Sequence, residues 1–414
     1  MIMRLSRCVV VASMAVAMTL SVRATAHAQA VGSGPLTGSL TDTEPAAGVL
    51  RLGRVVVAPG MVIREMGWDS NVFDEATDPK EDYIASIAPD VSAFSRLRFF
   101  QLSAYAGGDF NYFKTYDQER SAGSQLRGRA DFLLSRVRPF VGAGRTQLRT
   151  RPNGEIDTRA DRVEHELSGG LAFDLSPHSL FYASAYRFKT EFQDALEEGV
   201  NLGATLNRER REYQGGLRFD ITPLTAMTVY TSFGQDRFDG APLRDGDSVA
   251  ANASLRIGAE AMLSGSVLVS YKDFKPVDPL VERFRGITGL ANLSFPILEA
   301  GRVSLGATRG TEYSFDSAEA FYVENSLTLA YTHRLAGAVD AQIKGGWSMF
   351  DYSFRKDLPA HRDTYNSVNG SVGYNLVNRT RVSMNYEIAR RRSPVLPLRN
   401  YDRRRAYLAW TFAF

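Results

Sequence analysis

The last nine residues, Ala406-Tyr407-Leu408-Ala409-Trp410-Thr411-Phe412-Ala413-Phe414, decide how the rest of the chain is read. Ala406, Leu408, Trp410, Phe412 and Phe414 share one parity. Arg405, Tyr407, Ala409, Thr411 and Ala413 share the other. A β-strand sends alternate side chains to opposite faces, so this segment has one apolar, aromatic face and one small or polar face. A transmembrane barrel strand is built this way, apolar toward lipid and polar toward the lumen, with aromatic residues at the interfaces. The edge strand of a soluble sandwich alternates too, and the choice between them falls to the rest of the chain.

A length of 414 residues would suit two or three soluble domains. The composition argues otherwise: Gly 35, Tyr 18 and Phe 24 are high, yet mean hydropathy is slightly negative. Past the first few dozen residues no apolar run is long enough for a membrane helix. A barrel reconciles these facts, because half of each strand faces water. The net charge of +3 is not concentrated into a basic face, so no nucleic-acid partner is expected. At the N-terminus, Arg4 and Arg7 precede an apolar run from Cys8 to Leu20, and Ala26-His27-Ala28 forms a small-x-small site. That pattern predicts a Sec signal peptide over residues 1–28. Arg7 stands where a lipoprotein signal needs a small residue. The single cysteine, Cys8, leaves with the signal, which removes disulfides, thiolate catalysis and cysteine metal sites.

Residues 29–53 are Gly, Ser, Thr, Pro and Ala without period and read as a flexible periplasmic leader. From residue 54 to the end, two-faced segments alternate with short and then long connections. Short turns are expected near Arg96-Leu97, Arg136-Val137, Pro177-His178, Thr222-Pro223, 260–262, 297–300, Ala336-Gly337 and Asn378-Arg379. Longer polar loops are expected near 67–82, 114–121, 151–160, 192–208, 238–246, 275–281, 315–319, 355–362 and 392–401. This rhythm predicts an all-β, transmembrane, antiparallel up-and-down barrel of about 18 strands (16–18). The parity is clean in several segments, as where Leu102, Ala104, Ala106, Phe110 and Tyr112 oppose Ser103, Tyr105, Gly107, Asp109 and Asn111. Around Phe181 to Phe188 either phase fits. Soluble propellers also have evenly spaced strands, but no blade motif recurs here. The last strand is expected to close the barrel against the first, around Val55 to Arg64.

The stretch from Val55 to Phe113 carries VVVAPGMVIREMGWDSNVFD, then DYIASIAPDVSAF, then FFQLSAYAGGDFNYF. It resembles the β-barrel porin type 2 family of Gram-negative outer membranes, on Pro59, the Gly67-x-Asp69-x-Asn71 loop motif, Asp82 and Pro89. The terminal strand, with Trp410, Phe412 and Phe414, resembles the recognition strand read by the barrel assembly machinery. The resemblance implies an outer-membrane location, with lipid, lipopolysaccharide and the assembly machinery as partners. It also implies an association with polysaccharide export components.

Catalysis has little to work with. Four histidines survive signal removal. His178 and His333 are expected at periplasmic turns, His361 in an outer loop and His165 on the lipid face, so none meets a nucleophile in the lumen. In Glu164-His165-Glu166 the histidine faces away from both carboxylates, so the three cannot converge on a metal. The acidic loop Asp69, Asp74, Glu75, Asp78, Glu81 and Asp82 offers oxygen ligands without enforced spacing and reads as a solvated loop. No cofactor or metal is expected. The most suggestive cluster is basic: Arg390 to Arg392 precede the last loop and Arg403 to Arg405 follow it. Arg403 and Arg405 share the lumenal parity of Tyr407, and Arg390 is read as sharing that of Arg381. With Arg145, Arg149, Arg208 and Arg210 they are expected to form a positive entrance that favours anions. The bland alternative pairs them with lumenal carboxylates or with lipopolysaccharide phosphates. The expected function is a passive channel or export conduit for polar solutes, plausibly surface polysaccharide. The alternatives are a plugged structural or adhesive barrel and, further off, a barrel hydrolase. Large lumenal side chains such as Tyr105, Phe113 and Tyr407 favour a constricted interior.

Overall fold

The computed structural model describes residues 50–193, 195–316, 319–352, 354–376 and 380–413. The expected signal peptide, most of the leader, the turn residues Asn378-Arg379 and Phe414 lie outside them. The chain forms one nineteen-stranded antiparallel sheet; setting aside the three-residue strand Leu50–Leu52 leaves eighteen wall strands. The wall is closed, because the first strand, Val55–Asp69, is paired with the last, Tyr401–Ala413. Closure removes the free edge of the sheet and lets the paired wall N–H and C=O groups be satisfied without water. No described helix is long and apolar enough to cross a membrane, so crossing falls to the strands.

The alternation behaves as expected of a barrel in lipid. Leu102, Phe110, Tyr112, Val229, Val269, Tyr271, Met384, Leu408 and Trp410 point outward and are exposed, whereas Asp109, Thr228, Ser270, Ser383 and Glu387 point inward and are buried. The ambiguous seventh strand, Ser179–Phe192, takes the phase that places Leu180, Tyr182 and Tyr186 inside and Phe181 outside. There Tyr182 lies 6.3 Å from Tyr230 of the ninth strand, Thr225–Phe238.

The seam differs from the expected pairing in register. The last strand pairs with Gly60 to Asp69 rather than with Val55 to Arg64. The inner end, Val55 to Val57, is covered instead by Leu50–Leu52, which folds back in antiparallel register and takes three residues out of the expected leader. Between Ile63 and Met66 the first strand carries a bulge. An unbroken strand sends consecutive residues to opposite faces; the extra residue lets Arg64 and Glu65 both face the lumen. There Arg64 pairs with Asp109 and Glu65 with Arg405.

Short turns and both described chain ends share one rim, and the long connections share the other. Two of the outer elements do not stay on the rim. The connection 151–159, after the fifth strand, Val137–Thr150, turns into the mouth. Across the barrel, the hairpin of the thirteenth and fourteenth strands, Gly301–Tyr313 and Phe321–Ala336, peels away from the wall. Its partner, the twelfth strand, Phe284–Ile297, pairs with it only through Gly289↔Arg309, although the hairpin itself stays paired to Tyr313↔Phe321. The flanking loops close over the displaced tip: Glu282 N donates to Phe354 O at 2.7 Å and Lys356 N to Leu280 O at 3.1 Å. Phe321 lies 4.7 Å from Phe354 and 5.2 Å from Phe274, an apolar seal at the point of departure.

Candidate functional site: the constricted outer mouth

The two inward elements meet at Glu155. Its loop is shaped by Asn153, whose Oδ1 accepts from the N–H groups of Glu155 at 2.9 Å and Ile156 at 3.0 Å. Gly154 is required by close approach: a Cβ there would stand 2.8 Å from the ring of Phe350. The Glu155 carboxylate accepts from Ser314 Oγ at 2.7 Å and from Phe315 N at 3.1 Å, both on the hairpin tip. Arg399, in the last outer loop, donates to the same carboxylate at 3.4 Å and to Glu198 at 2.9 Å. Asn153 Nδ2 adds a bond to Tyr313 O at 3.2 Å. Arg244 donates to the carbonyls of Ser314 and Asp316 and holds the tip from its other side. Ile156, Phe192, Leu202, Leu206 and Phe315 form an apolar core around these contacts. Leu202 and Leu206 belong to a short helix whose Asn201 accepts from Ala204 N.

Arg391 joins this centre to the wall. It is fully buried, donates to Glu155 O at 3.0 Å and to Asp363 Oδ2 at 3.1 Å, and reaches Asp157 at 3.4 Å. The network continues to the seam through Arg151, which pairs with Asp74 at 2.9 Å, and Arg403, which pairs with Asp74 at 3.3 Å and with Asp69. Hydrogen bonds and ion pairs therefore run from the hairpin tip, across the mouth, to the first and last strands. In so dry a setting the carboxyls resist ionisation. Burial pushes Glu155 up, with Arg399, Ser314 and Arg391 pulling it back only in part. Burial, opposed by Arg391, takes Asp157 up to about 7, and Glu319 beside Asp316 likewise to about 7. Burial also works against the charge of Arg399, but Glu198 and Glu155 outweigh it and raise its affinity for the proton.

The expected basic entrance is only partly assembled. Arg403, Arg405, Arg208 and Arg210 do face inward, yet none forms an open positive ring. Arg405 is bound to Glu387 at 2.6 Å and Glu65 at 3.0 Å, and Arg210 to Glu212 at 2.8 Å and Asp236 at 3.4 Å. Arg208 lies over the ring of Tyr313 at 5.1 Å. Tyr407 accepts from Asn369 Nδ2 at 3.3 Å and lies under Arg405. Arg381 faces inward at the opposite, short-turn rim, paired with Asp340. Arg145, Arg149 and Arg390 are corrections, because all three have outward parity. Arg145 donates to Gln147, Arg149 pairs with Asp161 at 2.9 Å, and Arg390 pairs with Asp402 at 2.7 Å. Arg390 is nine positions from Arg381, an odd interval, so the two cannot share a face; Arg391 is the residue that turns inward. The sequence reading therefore passed over Arg391, for which parity was a sufficient signal. It also missed Glu155, Arg399 and Arg244, for which no local signal exists.

The motif Gly67, Asp69, Asn71 stands at the seam. A Cβ on Gly67 would lie 2.1 Å from Ala406 O, so only glycine lets the first strand approach the last. Asp69 accepts from Asn71 N at 3.0 Å and from Arg403; Asn71 Nδ2 donates to Glu75 O at 2.8 Å and to Asp402 O at 3.4 Å. The rest of the acidic loop is also committed. Glu75 pairs with Lys80 at 2.6 Å, Glu81 accepts from Trp68 at 2.9 Å, and Asp82 accepts from the N–H groups of Tyr83 and Thr115. Trp410 faces outward near the short-turn rim, 6.4 Å from Phe412. His333 is within a strand rather than a turn, its Nδ1 3.0 Å from the hydroxyl of Tyr331, and His361 opens the sixteenth strand, stacked on Tyr352. Among the described residues no cluster of three or more His, Cys, Asp or Glu is placed to hold a metal.

The sequence profile of a family described as "Putative beta-barrel porin 2" matches residues 44–414. The chain belongs to this family. The resemblance read from Val55 to Phe113 thus extends over nearly the whole chain, and the family's barrel is a porin-like channel of the outer membrane. Porins are channels and not enzymes. No curated protein matches in sequence. Among solved structures the chain is similar to the outer membrane protein OpdK of Pseudomonas aeruginosa, at 11% identity, 86% of this chain, 99% of that chain and a TM-score of 0.48. It is also similar to a BenF-like porin from Pseudomonas fluorescens Pf-5, at 8% identity, 86% and 99% coverage and a TM-score of 0.49. A third is Acinetobacter baumannii OccAB3, at 11%, 86%, 99% and 0.48.

Proposed function

We propose that this porin-like barrel passes small polar solutes through a mouth that is gated by the 151–159 loop and by the hairpin tip at 310–316 and 319–322. The observation that carries the reading is Glu155: one buried carboxylate is bonded to the hairpin tip and to the last outer loop at once, across the width of the barrel. Undocking this residue removes the side-chain link that joins the two inward elements to the last outer loop, and weakens the hold on both. Below the mouth, guanidiniums come with carboxylates, as in Arg129–Asp131 at 2.6 Å and Arg218–Asp220 at 2.9 Å. Arg127 also faces inward and is exposed in the middle of its strand. A lumen that carries both signs suits dipolar or mixed-charge solutes better than anions alone. Carriage of surface polysaccharide, which the family resemblance implies, would need the mouth to admit a glycan chain, and the cross-barrel bonds of Glu155 oppose that.

The same bonds favour a second reading, a barrel plugged for a structural or adhesive role. Single-channel recording in planar bilayers separates the two, with a variant whose residues 152–157 are replaced by a short Gly-Ser link. A gate predicts rare or small openings in the natural chain and larger, steadier ones in the variant. Equal conductance in both rules out the gate. Folded protein silent in both forms favours the plugged barrel.

A further inference from the structure

The outer face of the wall, which the channel reading does not use, carries a repeated arrangement of two guanidiniums on one carboxylate. Arg187 and Arg211 share Glu209, at 2.5 and 2.7 Å. Arg283 and Arg285 share Asp273. Arg390 and Arg392 share Asp402, at 2.7 and 2.8 Å. All three lie close to the long-loop rim, the level of the outer-leaflet head groups. Each leaves one positive charge in excess and part of each donor fork open to solvent.

The first cluster is the most developed. Arg187 and Arg211 stand directly opposite each other on neighbouring strands. Like charges so placed repel, and one carboxylate neutralises only half of the pair. Their side chains remain 56% and 57% exposed. In the adjoining row Arg145 faces His165, His165 faces Lys189, Lys189 faces Glu209 and Glu209 faces Arg237; there Glu191 pairs with Lys189 and Asp247 with Arg237, whereas Arg145 is bonded to the neutral Gln147. Toward the membrane interior the same face turns apolar at once, with Leu167, Leu171 and Tyr213 exposed. A guanidinium pair in excess of its carboxylate, above an apolar band, matches an amphiphile with an anionic head and acyl chains. Planar guanidinium forks pair best with phosphate.

We propose that strands five to nine form a docking surface for the phosphorylated glycolipid of the outer leaflet, with Arg187 and Arg211 clasping a lipid A phosphate. Arg145, two strands from Arg187 and bonded to the neutral Gln147, offers a second guanidinium to a head group that carries phosphates at two ends, which a single-phosphate phospholipid does not have. The site is separate from the mouth, so its failure would leave the channel reading untouched.

The test uses the full barrel in detergent and purified bisphosphorylated lipid A, with binding read by native mass spectrometry. Dephosphorylated lipid A and phosphatidylglycerol are the comparison ligands. Preference for the bisphosphorylated form is expected. Arg187→Gln with Arg211→Gln should weaken that binding about tenfold. Glu209→Gln removes the competing carboxylate and should tighten it, so a double variant that failed to fold would not spare the proposal. Equal binding of the dephosphorylated lipid or of phosphatidylglycerol would overturn it. So would a Glu209→Gln barrel whose affinity is unchanged or lower.

Discussion

Arg403 and Asp69 stand 334 positions apart in sequence, and the guanidinium of one grips the carboxylate of the other across the barrel seam. Nε donates to Oδ1 at 3.0 Å and to Oδ2 at 2.9 Å, and Nη2 adds a further bond to Oδ2. Asp69 is 1% exposed, so without Arg403 it would be a buried, uncompensated charge, whereas Arg403 without Asp69 keeps Asp74 at 3.3 Å. Arg403→Ala is expected to cost about 3–5 kcal/mol, read as a lower denaturant midpoint for the barrel refolded in lipid vesicles. Gly67→Ala acts at the same seam by steric means. Its Cβ would meet the Ala406 carbonyl, and overpacking of this kind costs about 1–3 kcal/mol. Retention of full heat-modifiable migration by both variants would show that the seam does not depend on this motif.

Arg390 and Arg391 make a paired test of which residue faces the mouth. Arg390→Ala removes one exposed ion pair and should change stability by no more than about 1 kcal/mol. Arg391→Ala strands Asp363, which is 0% exposed, and should cost about 3–5 kcal/mol. Chemical unfolding followed by tryptophan fluorescence separates them, and similar losses would contradict the assignment.

Glu155→Ala removes the bonds to Ser314, Phe315 and Arg399 together. Loss of about 3 kcal/mol shifts the ratio of docked to free loop by roughly two orders of magnitude. Longer open dwell times in bilayer recordings are the expected result. Unaltered dwell times would place the gate elsewhere.

Acid should favour the closed mouth. Asp157 rises from an ordinary 3.8 to about 7 when buried against Arg391, Asp74, Arg151 and Glu197. Glu319 and Glu155 shift in the same direction. A raised folded pKa means that the docked state binds the proton more tightly. Docking is therefore strongest below about pH 4 and weakens as pH climbs through about 7. Open probability should rise roughly tenfold or more over that window, and Asp157→Asn should flatten the curve. An opposite slope would mean that other groups control the mouth.

Much of the wall was legible because its code is local. A strand of period two in a closed sheet shows its lipid and lumen faces in parity alone, and the short-long rhythm of connections counts the strands. Parity places Arg403 and Arg405 inward, and it also suffices for Arg391. The seam register was not legible, because the bulge at Arg64 and Glu65 shifts phase without any distinctive residue. Phe321 and Val323 carry outward parity yet are 1% exposed, since the hairpin tip has left the wall and parity says nothing about that.

By itself, then, the alternation that ends in Ala406 to Ala413 determined a barrel, its membrane faces and the approximate strand count, because each depends on neighbours in sequence. Only the tertiary structure decided what the charges do. Glu155, Arg391, Arg399 and Ser314 come from four different connections and strands, and they meet because a closed wall brings its rim back on itself. Their attraction is strong only where loops exclude water, and no local pattern records which loops will do so.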